Sequence, residues 1–484
     1  MSTYSRLREL QRRVRESDRV CRFELTAVTP ILIGGYDTRT SHEVGREGLR
    51  PSSIKGVWRW WARIFVSAAI CRKFQYTSFV DLEGADAVVA RILGTTRGEA
   101  SSSKYQLIIE DLQVRYIELS NYKEVARVKL LGLGRRDIIG DRVVEPGSTF
   151  SVDLYKLRKA SEAEDAFAIS SLLVALTFGG IGKATSRGFG KLAVTQVNCN
   201  IGSVKELYSE LEKLNKSEIL KETFHEKAEK IIEKIFESCI NLASPLVENV
   251  NVSAQHRYPL IETPVSNYYR VRVPNLLFDG DVDVLEAIGK TTLKLNWKKS
   301  LGMNIRSSGR NIDTWILGLP RSQTPRFKEP ANLAALVDLE KKLKEGLENQ
   351  LKTVKLSRGI VGCENADKIL RKIRKIERDE ERRYEVPTGY FNCCEKYEAL
   401  VRRRSPIIFV PIKISDGEYK GKYYVVILGF ITADWDRVSL IHLGFNWNYP
   451  HYFQVTFRPT QLNDVKRAFN TALDNVVKVI ERSR

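Results

Sequence analysis

The chain has 484 residues, enough for two or three domains of roughly 150 residues each. Its 78 Lys and Arg residues outnumber 59 Asp and Glu residues, which gives a formal net charge of +19 and a pI near 9.5. A surplus of that size points to a polyanionic partner, either a nucleic acid or an anionic membrane surface. No run of about 18 apolar residues exists, and Met1–Val20 mixes six arginines with acidic residues, so we expect no membrane span and no signal peptide.

The cysteines and histidines argue against a structural metal site. The seven cysteines are scattered and form no C-x-x-C pair, and the five histidines show no ligand spacing. We therefore predict no metal or other cofactor, and reduced thiols in a cytoplasmic protein.

Residues 1–200 show the element order of a ferredoxin-like domain. Alternating apolar residues predict a strand at Cys21–Ile33, and Pro51 predicts the start of a helix that runs to Arg72. Then follow a helix, two strands, a helix, a glycine-rich loop and a strand, at Leu82–Leu93, Tyr105–Leu119, Val143–Tyr155, Ala163–Phe178, Gly179–Gly190 and Lys191–Val197. With Leu82–Leu93 taken as an insertion, this is the split βαβ order, in which two helices cover one face of an antiparallel sheet.

The rest of the chain predicts a second, degenerate copy of that domain. Residues 201–245 have apolar side chains at helical spacing and predict a helical linker. Residues 246–484 hold strand candidates and a final helix from Gln461; the strands are Asn267–Val273, Ile407–Ile414, Lys422–Ile431 and Tyr452–Phe457. A charged insert, residues 320–404, fits a solvated helix face as well as an RNA contact. The predicted fold class is α+β, with tandem ferredoxin-like domains of the RRM type and helical insertions.

The helix that starts at Pro51 carries the first candidate phosphate-binding group. Lys55, Arg59 and Arg63 recur every four residues, beginning at the helix N-terminus, where free amides and the helix dipole favour phosphate. For Lys55 and Arg59, phosphate contact is favoured over surface salt bridges. Trp58 and Trp61 fall on the apolar stripe of the helix and predict core packing.

Residues around this column extend the candidate site. Ser52 and Ser53 are placed to cap the first amides of the helix. Arg39, Arg46 and Arg50 lie in the polar loop before it. Trp60 lies off the apolar stripe, where its ring is placed to stack on a base.

The glycine-rich loop Gly179–Gly190 is the second candidate. Five glycines alternate with cations, so bare amides and positive charge suit a phosphodiester backbone. The alternative is a mobile connection between a helix and a strand. The predicted contacts are Gly179, Gly180, Gly182, Lys183, Ser186, Arg187, Gly188 and Lys191. The loop is neither a Walker loop nor a dinucleotide fingerprint, because it lacks the first spacing and follows a helix rather than a strand.

A weaker third cluster joins Arg402, Arg403 and Arg404 with Arg306 and Arg310. It suits a basic rim on the second half and a disordered basic loop equally well.

Three strings together resemble the RAMP superfamily of CRISPR proteins: T-P-I-L-I-G-G ending at Gly35, S-I-K-G-V-W-R-W-W-A-R ending at Arg63, and G-G-I-G-K-A-T-S-R-G-F-G-K ending at Lys191. The tryptophan-rich helix and R-R-R-S-P are most similar to the first-numbered subunit of the Cmr, or type III-B, antiviral effector complex. The resemblance implies tandem ferredoxin-like domains. It also implies neighbouring RAMP subunits and contacts to the 3′ region of a guide RNA and the 5′ side of a bound target RNA.

Carried over by position, the resemblance implies RNA contacts at Gly34, Gly35, Ser53, Lys55, Arg59 and the glycine loop with Lys183 and Arg187. One departure is Lys183-Ala184-Thr185, where the family favours a more arginine-rich run.

The competing function is metal-independent cleavage of guide RNA precursors, since some RAMP relatives are endoribonucleases. Such cleavage needs a general base and a general acid. His42 lies in the loop after the first strand with Tyr36 near it in sequence, but no second histidine is close. Asp37 alone is a poor Mg²⁺ ligand. We therefore expect binding without catalysis.

Overall fold

The computed structural model describes residues 18–33, 49–75, 82–95, 100–132, 142–221, 223–248, 250, 264–303, 388–393, 399–401, 407–432, 438–446, 451–457 and 462–483. In chain order the first half contains β1 (Arg19–Ala27), α1 (Pro51–Lys73), α2 (Leu82–Leu93), β2 (Tyr105–Gln113), β3 (Tyr116–Glu118), α3 (Ala126–Gly132), β4 (Arg142–Val144), β5 (Thr149–Lys156), α4 (Glu162–Val174), a π-helical turn (Ala175–Gly179) and β6 (Leu192–Cys199).

The first sheet has the ferredoxin-like strand order. Its strands lie in the order β2-β5-β1-β6, and every neighbouring pair is antiparallel. The crossing helices are α1 and α4, with α2 inserted after α1 as the sequence predicts. This confirms the fold predicted for the first half.

Local sequence explains these elements. In β1, the side chains of Cys21, Phe23, Leu25 and Ala27 are buried while the residues between them are partly exposed, so the period of two matches a strand with one buried face. Helix α4 begins with a complete capping box. The Ser161 hydroxyl accepts a hydrogen bond from the backbone amide of Glu164, and the Glu164 carboxylate accepts one from the backbone amide of Ser161.

An excursion separates β2 from β5. The two long strands predicted at Tyr105–Leu119 and Val143–Tyr155 each divide, because their inner ends leave the first sheet. Those ends pair with each other as the short β3–β4 ribbon, and α3 lies between them in the chain. The ribbon side of the molecule packs with the second half in a core that includes Val125, Val143 and Ile288.

Two helices and a second sheet follow. In chain order these are α5 (Gly202–Lys213), α6 (Phe224–Ala243), β7 (Pro264–Arg272), α7 (Asp281–Thr292), α8 (Trp297–Leu301), β8 (Thr388–Cys393), β9 (Ala399–Val401), β10 (Ile407–Lys413), β11 (Tyr423–Thr432), β12 (Val438–Asn446), β13 (His451–Phe457) and α9 (Leu462–Glu481). Helix α6 is a packing element rather than a spacer: its Phe236 ring contacts the rings of Trp61 and Phe430, which come from α1 and β11.

The second half repeats the first in part. Strands β10, β11 and β7 form an antiparallel sheet in that order, which is the ferredoxin-like order without a fourth strand among the described residues. One face packs under α7 and α9, and the other packs against α1 and α6. Burial on both faces is why β10 and β11 are almost continuously apolar. A further sheet, β13-β12-β8-β9, includes three strands that the sequence does not predict.

Candidate RNA-binding surface

The N-terminus of α1 lacks the side-chain cap that the sequence suggests. Its first residue is Pro51, the preceding Arg50 makes no side-chain cap bond, and no acidic residue lies in the first turn. Ser52 is exposed and Ser53 is half-buried; the Ser53 amide donates to the Arg50 carbonyl over 3.0 Å. The first turn of α1 therefore contains no carboxylate that could neutralise the positive end of the helix dipole.

The predicted column of cations is divided between two roles. The Arg59 guanidinium donates to the carbonyls of Leu93 and Gly94 over 2.6 and 2.7 Å, so it terminates α2. Arg63 forms an ion pair with Asp86, also on α2. These contacts hold α2 against α1, and they give Arg59 and Arg63 a structural role inside the protein.

Lys55 is the member of the column that keeps a free ammonium. It is half-buried and has no hydrogen-bond or ion-pair partner among the residues that the structure describes. Burial, followed by repulsion from the Arg59 guanidinium, lowers the pKa of Lys55 below its ordinary value. A partly desolvated cation without a counter-charge is destabilised, and a bound anion would relieve that cost.

The three tryptophans of α1 belong to the core or its margin. Trp58 and Trp61 are fully buried, as predicted from their spacing. Trp60 is half-buried, with its ring edge-on to Trp61 at 5.3 Å and to Phe430 at 5.8 Å between centroids. Base stacking by Trp60 stays a prediction, and its ring already packs between the two halves.

The glycines of the loop are required by backbone packing. Gly182 has φ +94°, and a Cβ there would lie 2.4 Å from the Leu32 carbonyl oxygen. Gly190 has φ +64°, and its Cβ would lie 1.9 Å from the Ile181 carbonyl oxygen. The loop is therefore closed on itself and on the chain after β1, which explains its glycine content without a ligand.

The later part of the loop, from Ser186 to Gly188, joins the two halves of the molecule. The Phe409 amide of β10 donates to the Ser186 carbonyl over 3.2 Å, and Arg187 pairs with Phe409 in a parallel bridge. The Arg187 guanidinium lies 6.0 Å from the Phe409 ring centroid. Gly188 is buried, and a Cβ there would lie 2.9 Å from Ile288 of α7. Ser186, Arg187 and Gly188 thus face the second sheet.

Lys191, which the sequence predicts as an RNA contact, is buried in this structure. The side chain is 0% exposed, and its ammonium donates to the carbonyls of Phe178 and Gly179 over 2.7 and 3.0 Å. Lys191 therefore serves as an internal hydrogen-bond donor at the end of the π-helical turn. Gly179 and Gly180 are buried beside it, and a Cβ at Gly179 would lie 2.3 Å from Val57.

Lys183 is the exposed cation of the loop. Its amide donates to the Leu32 carbonyl over 2.7 Å, which fixes the backbone. Its side chain has no partner within the described ranges. Among the predicted cations that the structure describes, Lys55 and Lys183 are the two whose side chains have no such partner.

One residue that the sequence analysis missed is Thr29. Its buried hydroxyl donates to the Gly188 carbonyl over 2.7 Å and accepts from the Lys191 amide over 3.0 Å, tying both ends of the loop to the chain after β1. A buried threonine directly before Pro30 was the available signal, but its partners lie more than 150 residues away in sequence.

Several predicted residues lie outside the described residues. They are Gly34, Gly35, Arg39 and Arg46, the nuclease candidates Tyr36, Asp37 and His42, and the basic cluster Arg306, Arg310, Arg402, Arg403 and Arg404. Within the described ranges, no group of three or more His, Cys, Asp or Glu side chains is arranged to hold a metal ion. The helices described there include none that is long and apolar enough to cross a membrane.

Comparisons with known proteins match part of this chain to a known family. Residues 24–193, from β1 into β6, match the family model of the RAMP superfamily. A CRISPR system CMR subunit Cmr1 from Saccharolobus solfataricus is 26% identical, over 38% of this chain and 56% of the relative, so the chain spans about half of that relative's length. The crystal structure of apo Cmr1 from Pyrococcus furiosus is 16% identical, with a TM-score of 0.43 and coverage of 86% of this chain and 88% of that one. Residues 24–193 of this chain are thus similar to RAMP superfamily proteins, and part of the chain is similar to a Cmr1 subunit.

Proposed function

We propose that this chain is a non-catalytic RNA-binding subunit of a Cmr-type (type III-B) CRISPR effector complex. In that role it contacts the 3′ region of the guide RNA and the 5′ side of the bound target, beside other RAMP subunits. The similarity to a Saccharolobus solfataricus protein that is a subunit of a CMR system supports membership of such a complex.

The observation that carries RNA binding is the state of Lys55. A half-buried ammonium without a counter-ion stands in the first turns of a helix that has no acidic residue in its first turn. Phosphate supplies the missing charge and accepts from the same helix end. The net charge of +19 favours a polyanion over a small anion.

Lys183 supports the same proposal from the glycine-rich loop. Its backbone is held rigidly by the Leu32 carbonyl while its side chain is exposed, so the ammonium is presented to solvent from a fixed support. Contacts of this kind are to phosphate and are indifferent to base sequence.

The test is filter binding of single-stranded RNA by the purified chain between 50 and 200 mM salt. Each phosphate contact contributes about −0.7 to the slope of log affinity against log salt. Replacing Lys55 and Lys183 together with Ala is expected to flatten the slope by about 1.4. Over this fourfold rise in salt concentration, the affinity of the variant for RNA is therefore expected to fall about sevenfold less than the affinity of the wild-type chain.

A matched control removes the same charge elsewhere. Lys227 and Lys230 are exposed on α6, and the Lys227→Ala/Lys230→Ala variant loses two positive charges from a different element of the fold. Equal slopes for the two double variants would show that only overall charge matters, and would refute the proposed surface. A slope that stays at the wild-type value after loss of Lys55 and Lys183 would refute it as well.

The recovered RNA is also run on a gel, with and without Mg²⁺. Intact RNA is expected. RNA that is cut by the wild-type chain but not by a His42→Ala variant would make the chain a processing endoribonuclease instead.

A further inference from the structure

Cys21 and Cys199 lie opposite each other on adjacent strands. They are register partners in the antiparallel pair β1–β6, so both side chains project from the same face of the sheet. Directly opposed residues of such strands have Cα atoms about 4.5 or 5.5 Å apart, which is inside the range of about 4.4–6.8 Å that a disulfide requires. The strand register therefore already places this pair at bonding separation.

The surroundings of the two thiols differ. The Cys21 thiol donates a hydrogen bond to the Cys199 sulfur, which lowers the pKa of Cys199 to about 7 against the opposing effect of burial. The backbone amides of Ile201 and Asn200 and the ammonium of Lys205 add to this stabilisation of the thiolate. The same pairing, together with burial, raises the pKa of Cys21. These opposite shifts favour the thiolate at Cys199 and the protonated thiol at Cys21.

The two other cysteines whose side chains the structure describes lack these features. Cys71 and Cys239 are buried, and burial alone raises the pKa of each. Neither faces a second sulfur in the strand pairing. They are internal standards for the behaviour of a buried thiol in this fold.

We propose that Cys21 and Cys199 are a cross-strand dithiol, and that a low-molecular-weight disulfide converts them to a disulfide that fastens β1 to the edge strand β6 within the native fold. Cys199 is 6% exposed and Cys21 is 1% exposed, so the incoming disulfide meets Cys199 first.

The exchange proceeds in two balanced steps. The Cys199 thiolate attacks one sulfur of the small disulfide and expels one small thiolate, which leaves a mixed disulfide on Cys199. The Cys21 thiol gives its proton to that thiolate and attacks the Cys199 sulfur, expelling the second small thiolate. Two protein thiols are oxidised, and one small disulfide is reduced to two thiols.

The bond would act on the strand that follows the glycine-rich loop. Strand β6 runs from Leu192 to Cys199 at the edge of the sheet, with the loop before it and α5 after it. A link at the C-terminal end of β6 closes a long chain segment and restricts the unfolded state. Oxidation is therefore expected to raise the midpoint of thermal unfolding by a few degrees, reversibly. This inference is independent of RNA binding.

The test uses the full chain incubated with oxidised glutathione, then N-ethylmaleimide, and digested without reduction for mass spectrometry. The expected product is a linked pair of peptides carrying Cys21 and Cys199, while Cys71 and Cys239 carry no bridge. A Cys21→Ser variant is expected to stop at a glutathione adduct on Cys199, because the second thiol is missing. A Cys71→Ser variant is the control and is expected to form the Cys21–Cys199 link.

Recovery of Cys21 and Cys199 as unlinked peptides from the oxidised wild-type chain would overturn the proposal. So would a bridge that joins either of them to another cysteine. The wild-type digest decides the question without any variant having to fold.

Discussion

Replacing Lys191 with Met tests whether the buried Lys191 side chain stabilises the glycine-rich loop. The Lys191 ammonium is fully buried and donates to two carbonyls at the end of the π-helical turn. Burial lowers its pKa from 10.5 to about 7. The Lys191→Met variant keeps a similar volume and removes both the charge and the donors.

The magnitude follows from proton linkage. Because the folded pKa lies below the ordinary value, the unfolded chain binds more protons between pH 7 and 10.5. The free energy of unfolding therefore rises with pH across this window, by up to about 1.4 kcal/mol per pH unit, and falls as pH drops toward 7. Between pH 9 and pH 7 the wild-type chain is expected to lose about 2–3 kcal/mol through this lysine.

In the variant, two buried carbonyl oxygens lose their hydrogen-bond donor, which lowers the free energy of unfolding by about 1–3 kcal/mol for each. This cost is the same at every pH, whereas the penalty of the wild-type lysine is not. Lys191→Met is therefore expected to be clearly destabilising at pH 9 and less so, by about 2–3 kcal/mol, at pH 7.

The assay is urea unfolding followed by tryptophan fluorescence at pH 7, 8 and 9, since Trp58 and Trp61 lie in the core that packs against this turn. Lys183→Met, in the same loop but exposed, is the control and is expected to keep the wild-type pH dependence. Parallel stability curves for wild type and Lys191→Met from pH 7 to pH 9 would refute the reasoning.

Three further predictions concern packing and capping, each measured by the same urea unfolding. Gly190→Ala is expected to lower the free energy of unfolding by on the order of 3 kcal/mol or more, because of the positive φ and the contact with a carbonyl oxygen. Gly56→Ala, in open space on α1, is expected to raise the free energy of unfolding by about 0.5–1 kcal/mol. Similar effects of the two substitutions would contradict the packing argument. Ser161→Ala is expected to lower the free energy of unfolding by about 1 kcal/mol through loss of the capping box, while Ser52→Ala, which removes no cap, is expected to leave it unchanged. Equal effects of the two substitutions would show that the cap does not contribute to stability. Tyr105→Phe removes a 2.6 Å buried hydrogen bond to a carboxylate and is expected to cost about 1.5–3 kcal/mol, and an unchanged stability would mean that this bond adds nothing net.

The pattern of side chains predicted most elements whose stability is local. The alternation in β1 and the helical spacing in α1 appear in the structure as buried faces, since each period places its apolar residues on one side. Strands β10 and β11 were also predicted, because a run of apolar residues between turns indicates a strand buried on both faces.

Elements that depend on a partner were predicted less well. The inner ends of β2 and β5 continue the apolar pattern of those strands, yet they leave the sheet as the β3–β4 ribbon. Strands β8, β9 and β12 were not predicted at all. In these segments strand formation depends on the neighbouring strand, which a single-sequence pattern does not contain.

The sequence by itself determined the order of the main elements of the first half, the RAMP-type strings and the positions of the cations along the chain. Only the tertiary structure decided what each cation does. Arg59, Arg63 and Lys191 are used inside the protein because folding brings carbonyls or a carboxylate from 12 to 35 residues away onto them. Lys55 and Lys183 receive no such partner in the described part of the chain, which is why the proposed phosphate contacts are assigned to them.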